Sequence, residues 1–376
     1  MSAVAPAVAP SGGRRAEDPD KGPAARPAWR RWGRRASIVV SPEDQPLWAR
    51  PALLVLAGVA SFLYAWRSSG YLEIYYAAAV RSMSSSWHNF LYAAFDPSGT
   101  VSTDKLPGAF WVQALSVRLF GLHDWAIVLP QILEGALTVL VLYRAVRRLA
   151  GPVAGIVAAA VFAVAPANVT LNRGNISDSL MILFAVLAAD AVVAAVHSGR
   201  WRHLLLGGLW VGLAFQAKMV EAWLILPALA LAFLVAGPRG PARRLAGVGA
   251  LVAVAVVVSL SWMLYVSAQP TAGRPYVDGS SHDSVFEQVF DYNGFGRINQ
   301  PSPNAILFKT IGIGGLASTP PGWNRMVTGV FGRDAGWLIP AALAGLVVGL
   351  AATRRRPRGD PLRASFLLWG SWLIVL

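Results

Sequence analysis

Apolar residues in this chain fall in long uninterrupted runs, not at the half-buried spacing of a soluble fold. Val153–Ala165, Leu180–Val196, Leu245–Val266 and Trp337–Ala352 run up to about one bilayer width with few or no charges. The pattern predicts membrane-spanning helices over 47–66, 125–143, 152–168, 178–196, 203–217, 222–236, 245–266 and 335–352, with a ninth over 364–376. That last run is still apolar at Leu376 and shorter than a bilayer requires, so a truncated span is expected there. Two connections, 67–124 and 267–334, are too long for simple turns and carry aromatic and apolar residues; both are expected to fold against the outer membrane face. Residues 1–46 are rich in Ala, Pro, Gly and Arg without periodicity, which predicts a disordered basic tail resting near anionic lipid. It has no apolar core near Met1, so a cleavable signal peptide is not expected. The expected fold class is an all-α integral membrane protein, with 47–376 as its polytopic domain.

Composition narrows the chemistry. Of 376 residues, 55% are hydrophobic and 14% charged, too little charge to cover a soluble protein of this size. The absence of cysteine excludes disulfides, thiolate metal sites and thiol nucleophiles. A net charge of +14 suggests nucleic acid until its position is considered. With the N-terminus inside, 22 of the 33 Lys and Arg residues fall in the stretch through Arg50 and in the inner turns around Arg144, Arg200, Arg243 and Arg355. That asymmetry predicts a cytoplasmic N-terminus and explains the charge as topology. No nucleic-acid partner is expected.

The charges outside that inner set are candidates for chemistry. Tyr76, Ala79, Val80, Met83 and Trp87 recur at helical spacing, predicting a short interfacial helix with Glu73 in its first turn. A second is predicted from Pro107 to Phe120, with Pro107 at its first position. Between them lie Asp104 and Lys105, which read either as a solvated loop with an acid capping the helix or as a carboxylate and ammonium facing a lipid headgroup. Asp178 reads either as the N-cap of its span or as an acid lining a cavity, with Arg173 and Asn175 as nearby donors. Lys218 and Glu221 have the spacing of a local ion pair, and Glu134 and Asp190 lie in or near spans. The five histidines show no metal-ligand spacing, Gly312–Gly315 reads as loop, and no phosphate-binding or dinucleotide glycine motif occurs. A lipid-borne substrate therefore fits better than a soluble nucleotide.

Taken in order, Glu73–Met83, Trp87–Phe90, Phe95–Pro97, Thr103–Pro107, Asn175–Asp178, Pro275–Gly279 and Tyr292–Arg297 resemble glycosyltransferase family 39. That family includes protein O-mannosyltransferases and the lipid A aminoarabinose transferase, and the likeness is greatest to its YkcA/YkcB-like mannosyltransferases. It covers about residues 50–376. The resemblance implies a GT-C fold with interfacial helices in the first outer loop. It also implies sugar transfer, with inversion, from a polyprenyl-phosphate donor to a lipid, cell-wall glycan or protein acceptor on the extracytoplasmic face of the plasma membrane. Such chemistry needs one carboxylate to take the acceptor proton and cations to hold the leaving phosphate. The family's first-loop Asp-Glu pair aligns with Leu72–Glu73, so the base is either Glu73 or Asp104, with Asp104 favoured. Lys105 and Arg81 then match the phosphate-binding cations, Asp178 an acidic cavity residue, and Asn175 and Arg297 further substrate contacts. Leu106 stands where a second proline is usual. No cofactor beyond the lipid-linked sugar is implied. A transporter or flippase of lipid-linked sugars, and a non-catalytic scaffold, are the competing readings.

Overall fold

Backbone that lies in an apolar medium must satisfy its own hydrogen bonds, and this chain does so with helices. The computed structural model describes residues 39–238, 240–296 and 324–375. Residues from Ser41 onward form one compact unit. The helices run in order α1 (Ala49–Ala65), α2 (Ile74–Ser85), α3 (Trp87–Tyr92), α4 (Gly108–Phe120), α5 (Asp124–Val164), α6 (Pro166–Arg173) and α7 (Asp178–Ser198). They continue with α8 (Trp201–Lys218), α9 (Leu226–Ala236), α10 (Pro241–Ser267), α11 (Gly329–Asp334), α12 (Ile339–Thr353) and α13 (Pro361–Val375). Among the described residues, extended pairing is limited to two isolated bridges, Ala94 with Ser102 and Val101 with Tyr276.

Among the described residues, five helical stretches are long and apolar enough to cross a membrane: Asp124–Val164, Asp178–Ser198, Trp201–Ala236, Pro241–Ser267 and Gly336–Thr353. Two of these each contain two of the expected spans. Gly151 (φ +87°) breaks α5 into 124–150 and 152–164, a backbone that a side chain would strain. Trp201–Ala236 is divided by a 3₁₀ segment, Met219–Ile225. The expected span 152–168 stops at Val164, because Ala165 leaves helical geometry ahead of Pro166 and a new helix begins. The core of the bundle is α8, which packs on both α7 and α10. Its Gly208 and Gly212 lie so close to Leu251 and Val258 of α10 that a Cβ on either would collide. Small residues one turn apart are how helices approach closely without a hydrophobic driving force.

Several local expectations are revised. Residues 41–46, read with the tail, are docked: Asp44 pairs with Arg147 (2.8 Å) and Gln45 accepts the Tyr143 hydroxyl (2.8 Å). Residues 1–38 of the expected tail lie outside the described residues. The interfacial helix stops at Ser86, whose hydroxyl accepts the Asn89 amide and starts α3. Trp87 is consequently 64% exposed rather than buried with Met83, and Arg118 lies 3.9 Å over its ring. Glu73 and Pro107 occupy N-cap positions just before α2 and α4 rather than first-turn positions, and neither side chain caps. The second long connection is folded over 267–296 against the first: Ser102 N–H donates to the Tyr276 carbonyl and Tyr276 N–H to that of Thr100. These interlocked loops, with α2 and α4, cover one end of the bundle.

Candidate functional site

Asp104 and Lys105 sit in the short loop before α4, and their position is fixed by the close approach of that helix to α8. A Cβ at Gly108 would lie 2.6 Å from the Gln216 carbonyl oxygen, so only glycine allows the contact. Leu106 and Phe110 are fully buried alongside Met83, Phe215 and Met263. The apolar anchoring on both sides leaves the polar pair at the rim of this core.

The pair is nearly enclosed, with side-chain exposures of 11% for Asp104 and 12% for Lys105. Lys105 Nζ lies 3.0 Å from Asp104 Oδ2 and donates to Asn293 Oδ1, also at 3.0 Å. The Tyr76 hydroxyl donates to Asp104 Oδ1 (3.3 Å). Tyr75 acts through the backbone: its hydroxyl oxygen accepts the Asp104 N–H (3.0 Å) and its proton goes to Asp278 Oδ2 (2.9 Å). Burial, and after it the Asp104 charge, push both phenols above the ordinary tyrosine range, so they stay protonated as donors. Asn293 donates to the Asp104 carbonyl (2.6 Å), and Gln288 donates to the Thr103 and Asp278 carbonyls at 2.7 and 2.8 Å. Asn293 and Gln288 lie in a π-helical segment, Glu287–Phe295, which is interrupted at the non-helical Gly294. Such segments are uncommon and often occur at functional sites.

Glu73 is exposed, and its backbone is held by Asn175, whose Oδ1 accepts the Glu73 N–H (2.7 Å) and whose Nδ2 donates to its carbonyl (3.2 Å). Asn175 is fully buried and its carbonyl accepts from Gln113 (3.1 Å). Its amide thus positions the Glu73 backbone, with one N–H beyond these bonds. Glu73 belongs to the same electrostatic group, since its charge is among those acting on Tyr76.

A second cluster lies on the neighbouring helix ends. Asp178 is in the first turn of α7, behind Ser177 at the N-cap position, and pairs with Lys218 (2.5 Å) instead of capping. Lys218 also meets Glu221 (3.0 Å), so the local pair is part of a three-charge group. The next residue, Met219, has φ +56°, a costly conformation for a side-chain-bearing residue and one concentrated at functional sites. The clusters adjoin: a Cβ on Gly294, next to Asn293, would lie 3.6 Å from Val220.

Arg81 is exposed on α2, and among the described residues no ion pair joins it to Asp104 or Glu73. Arg297 lies outside the described residues. Tyr75, Tyr76, Asp278, Gln288 and Asn293 are site residues that sequence reasoning left without roles. The tyrosines lie within the Glu73–Met83 stretch and Asp278 and Asn293 within Pro275–Gly279 and Tyr292–Arg297, which carried the resemblance without assigning these side chains a role, whereas Gln288 lies in none of the motifs. Among the described residues no three of His, Asp and Glu gather as a metal ion would require.

Comparison with known proteins agrees with this picture. Residues 104–262 match the family model of dolichyl-phosphate-mannose-protein mannosyltransferases, the match beginning at Asp104. A Bacillus subtilis protein named "Putative mannosyltransferase YycA" is 37% identical over 250 residues, covering 66% of this chain and 36% of that protein. An undecaprenyl phosphate-alpha-4-amino-4-deoxy-L-arabinose arabinosyl transferase of Pseudomonas paraeruginosa is 30% identical over 172 residues, covering 44% and 31%. The chain thus spans about a third of the length of these curated relatives. The Archaeoglobus fulgidus oligosaccharyltransferase superposes with a TM-score of 0.51 at 13% identity, over 87% of this chain and 48% of that one. The shared architecture is the GT-C fold, as the resemblance implied.

Proposed function

We propose that this chain, which carries a glycosyltransferase domain of the dolichyl-phosphate-mannose-protein mannosyltransferase family, moves a sugar from a polyprenyl-phosphate donor to a hydroxyl acceptor at the loop-covered end of the bundle. The observation that carries this reading is the Asp104–Lys105 pair, held at 3.0 Å and nearly enclosed between the two loops. One carboxylate beside one cation suits a displacement in which the leaving group is a phosphate and needs charge stabilisation, not a proton. Asp104 takes the acceptor O–H proton as the acceptor oxygen bonds to the anomeric carbon. The bond from that carbon to the phosphate oxygen breaks, its electron pair stays on the phosphate, and Lys105 moves from Asp104 to meet that charge. A single displacement of this kind inverts the anomeric centre. Glu73, exposed and two residues before Tyr75, is the alternative base. Asp178 and Lys218 would border the site from the bundle side, and the catalytic end would face outward with the N-terminus inside.

The test is transfer of radiolabelled polyprenyl-phosphate-hexose by purified full-length protein. D104N is expected to lower kcat by about 10²–10⁴-fold, the range for loss of a general base. Undiminished transfer by the D104N/E73Q double variant would sink the assignment. Vesicles that translocate the lipid-linked sugar without transferring it would support the flippase reading instead.

A further inference from the structure

We propose that a cavity between the end of α1 and the end of α6 binds an anionic, phosphate-bearing headgroup, separately from the Asp104–Lys105 pair. The cavity measures about 570 Å³ and is lined by Trp66, Arg67, Gly70, Tyr71 and Arg173. Two guanidinium groups border it, and among the described residues no acid does. Like charges turned toward one space repel unless an anion lies between them.

The geometry is built by the chain around it. Arg67, two residues past the end of α1, takes the left-handed conformation (φ +55°), which turns the chain into the short 3₁₀ segment Ser68–Tyr71. Arg173 Nε donates to the Leu63 carbonyl (2.8 Å) and its guanidinium lies 5.6 Å over the Tyr71 ring. Those two contacts orient the guanidinium before any ligand arrives, while leaving its terminal N–H groups to bond elsewhere. A Cβ at Gly174 would lie 3.1 Å from the Tyr71 carbonyl oxygen, which brings α6 tightly under the cavity, and a Cβ at Gly70 would meet nothing within 4 Å. Trp66 and Tyr71 are 53% and 47% exposed, placing aromatic surface of the kind that settles at headgroup depth beside the two cations. Arginine forks match phosphate oxygens in pairs.

Native mass spectrometry of the detergent-purified full chain, titrated with dioleoyl phosphatidic acid and with phosphatidylcholine, tests the proposal. Phosphatidic acid is expected to be retained over the zwitterionic lipid. R67N, chosen because Asn tolerates the left-handed backbone, is expected to weaken that retention about tenfold. R355Q, in the turn after α12, is expected to leave it unchanged. Displacement by millimolar inorganic phosphate would mark the anion itself as the ligand, and retention in its presence would mark the lipid headgroup with its chains. Equal retention of the two lipids, retention by R67N matching that of the unaltered protein, or an equal loss in R355Q would overturn the site.

Discussion

Tyr75 and Tyr76 are adjacent in sequence but hold Asp104 by different means. Tyr76 gives one hydrogen bond to the carboxylate, at 3.3 Å, so Y76F is expected to reduce kcat less than about tenfold. Y75F leaves both the Asp104 N–H and Asp278 Oδ2 without their partner. An unpaired buried group costs about 1–3 kcal/mol, so Y75F is expected to lower kcat/KM about ten- to a hundredfold. Steady-state transfer assays on the two variants side by side check this order. K105A removes the cation shared by Asp104 and Asn293 and is expected to lower kcat at least about a hundredfold, with K105R partly restoring it. At this scale the sequence was only partly legible. Asp104, Lys105 and Glu73 stood out because charge is scarce in an apolar chain. Asn293 and Gln288 did not, since a neutral amide shows its importance only through the carbonyls it reaches. Asn175 was noticed as a donor, but its grip on the Glu73 backbone, made through both amide atoms, was not legible in the sequence.

Helices α4 and α8 set where that pair sits, and Gly108 sets how close they come. G108A is expected to push α4 away from the Gln216 carbonyl, lowering stability by about 1–3 kcal/mol and reducing transfer with it. G249A, on α10 where a Cβ meets nothing within 4 Å, is expected to keep activity and gain up to about 1 kcal/mol. Thermal unfolding in detergent, paired with the transfer assay, separates the two. Element positions were largely readable, because an apolar run of bilayer length has few other ways to satisfy its backbone. Breaks were harder to read. Ser86 ends α2 through a hydroxyl cap, and Met219–Ile225 tightens into 3₁₀ geometry where Lys218 is drawn to both Asp178 and Glu221.

Across the whole molecule, the paired charges divide between the loop-covered end and the arginine-rich turns. Asp190 on α7 meets Arg144 (2.7 Å) and Arg148 (2.8 Å) of α5 with its own side chain only 8% exposed. D190A strands both arginines and is expected to cost about 2–4 kcal/mol in stability, read as a lower melting temperature, without altering KM for donor. The cysteine-free chain also permits a clean test of sidedness. Single cysteines at Ser281 and Ser198, both exposed, are expected to react with a membrane-impermeant thiol reagent from opposite sides, Ser281→Cys from outside the cell. The sequence by itself determined that this is a helical, multi-spanning protein and singled out a few charges in the connections, because long apolar runs and the rarity of charge are properties of the chain read locally. Only the tertiary structure decided which of those charges meet. Asp104 takes its partners from Tyr75, Tyr76 and Lys105 nearby and from Asn293 far along the chain, with Asp278 behind Tyr75, and contacts across such separations depend on how helices pack, which no local pattern encodes.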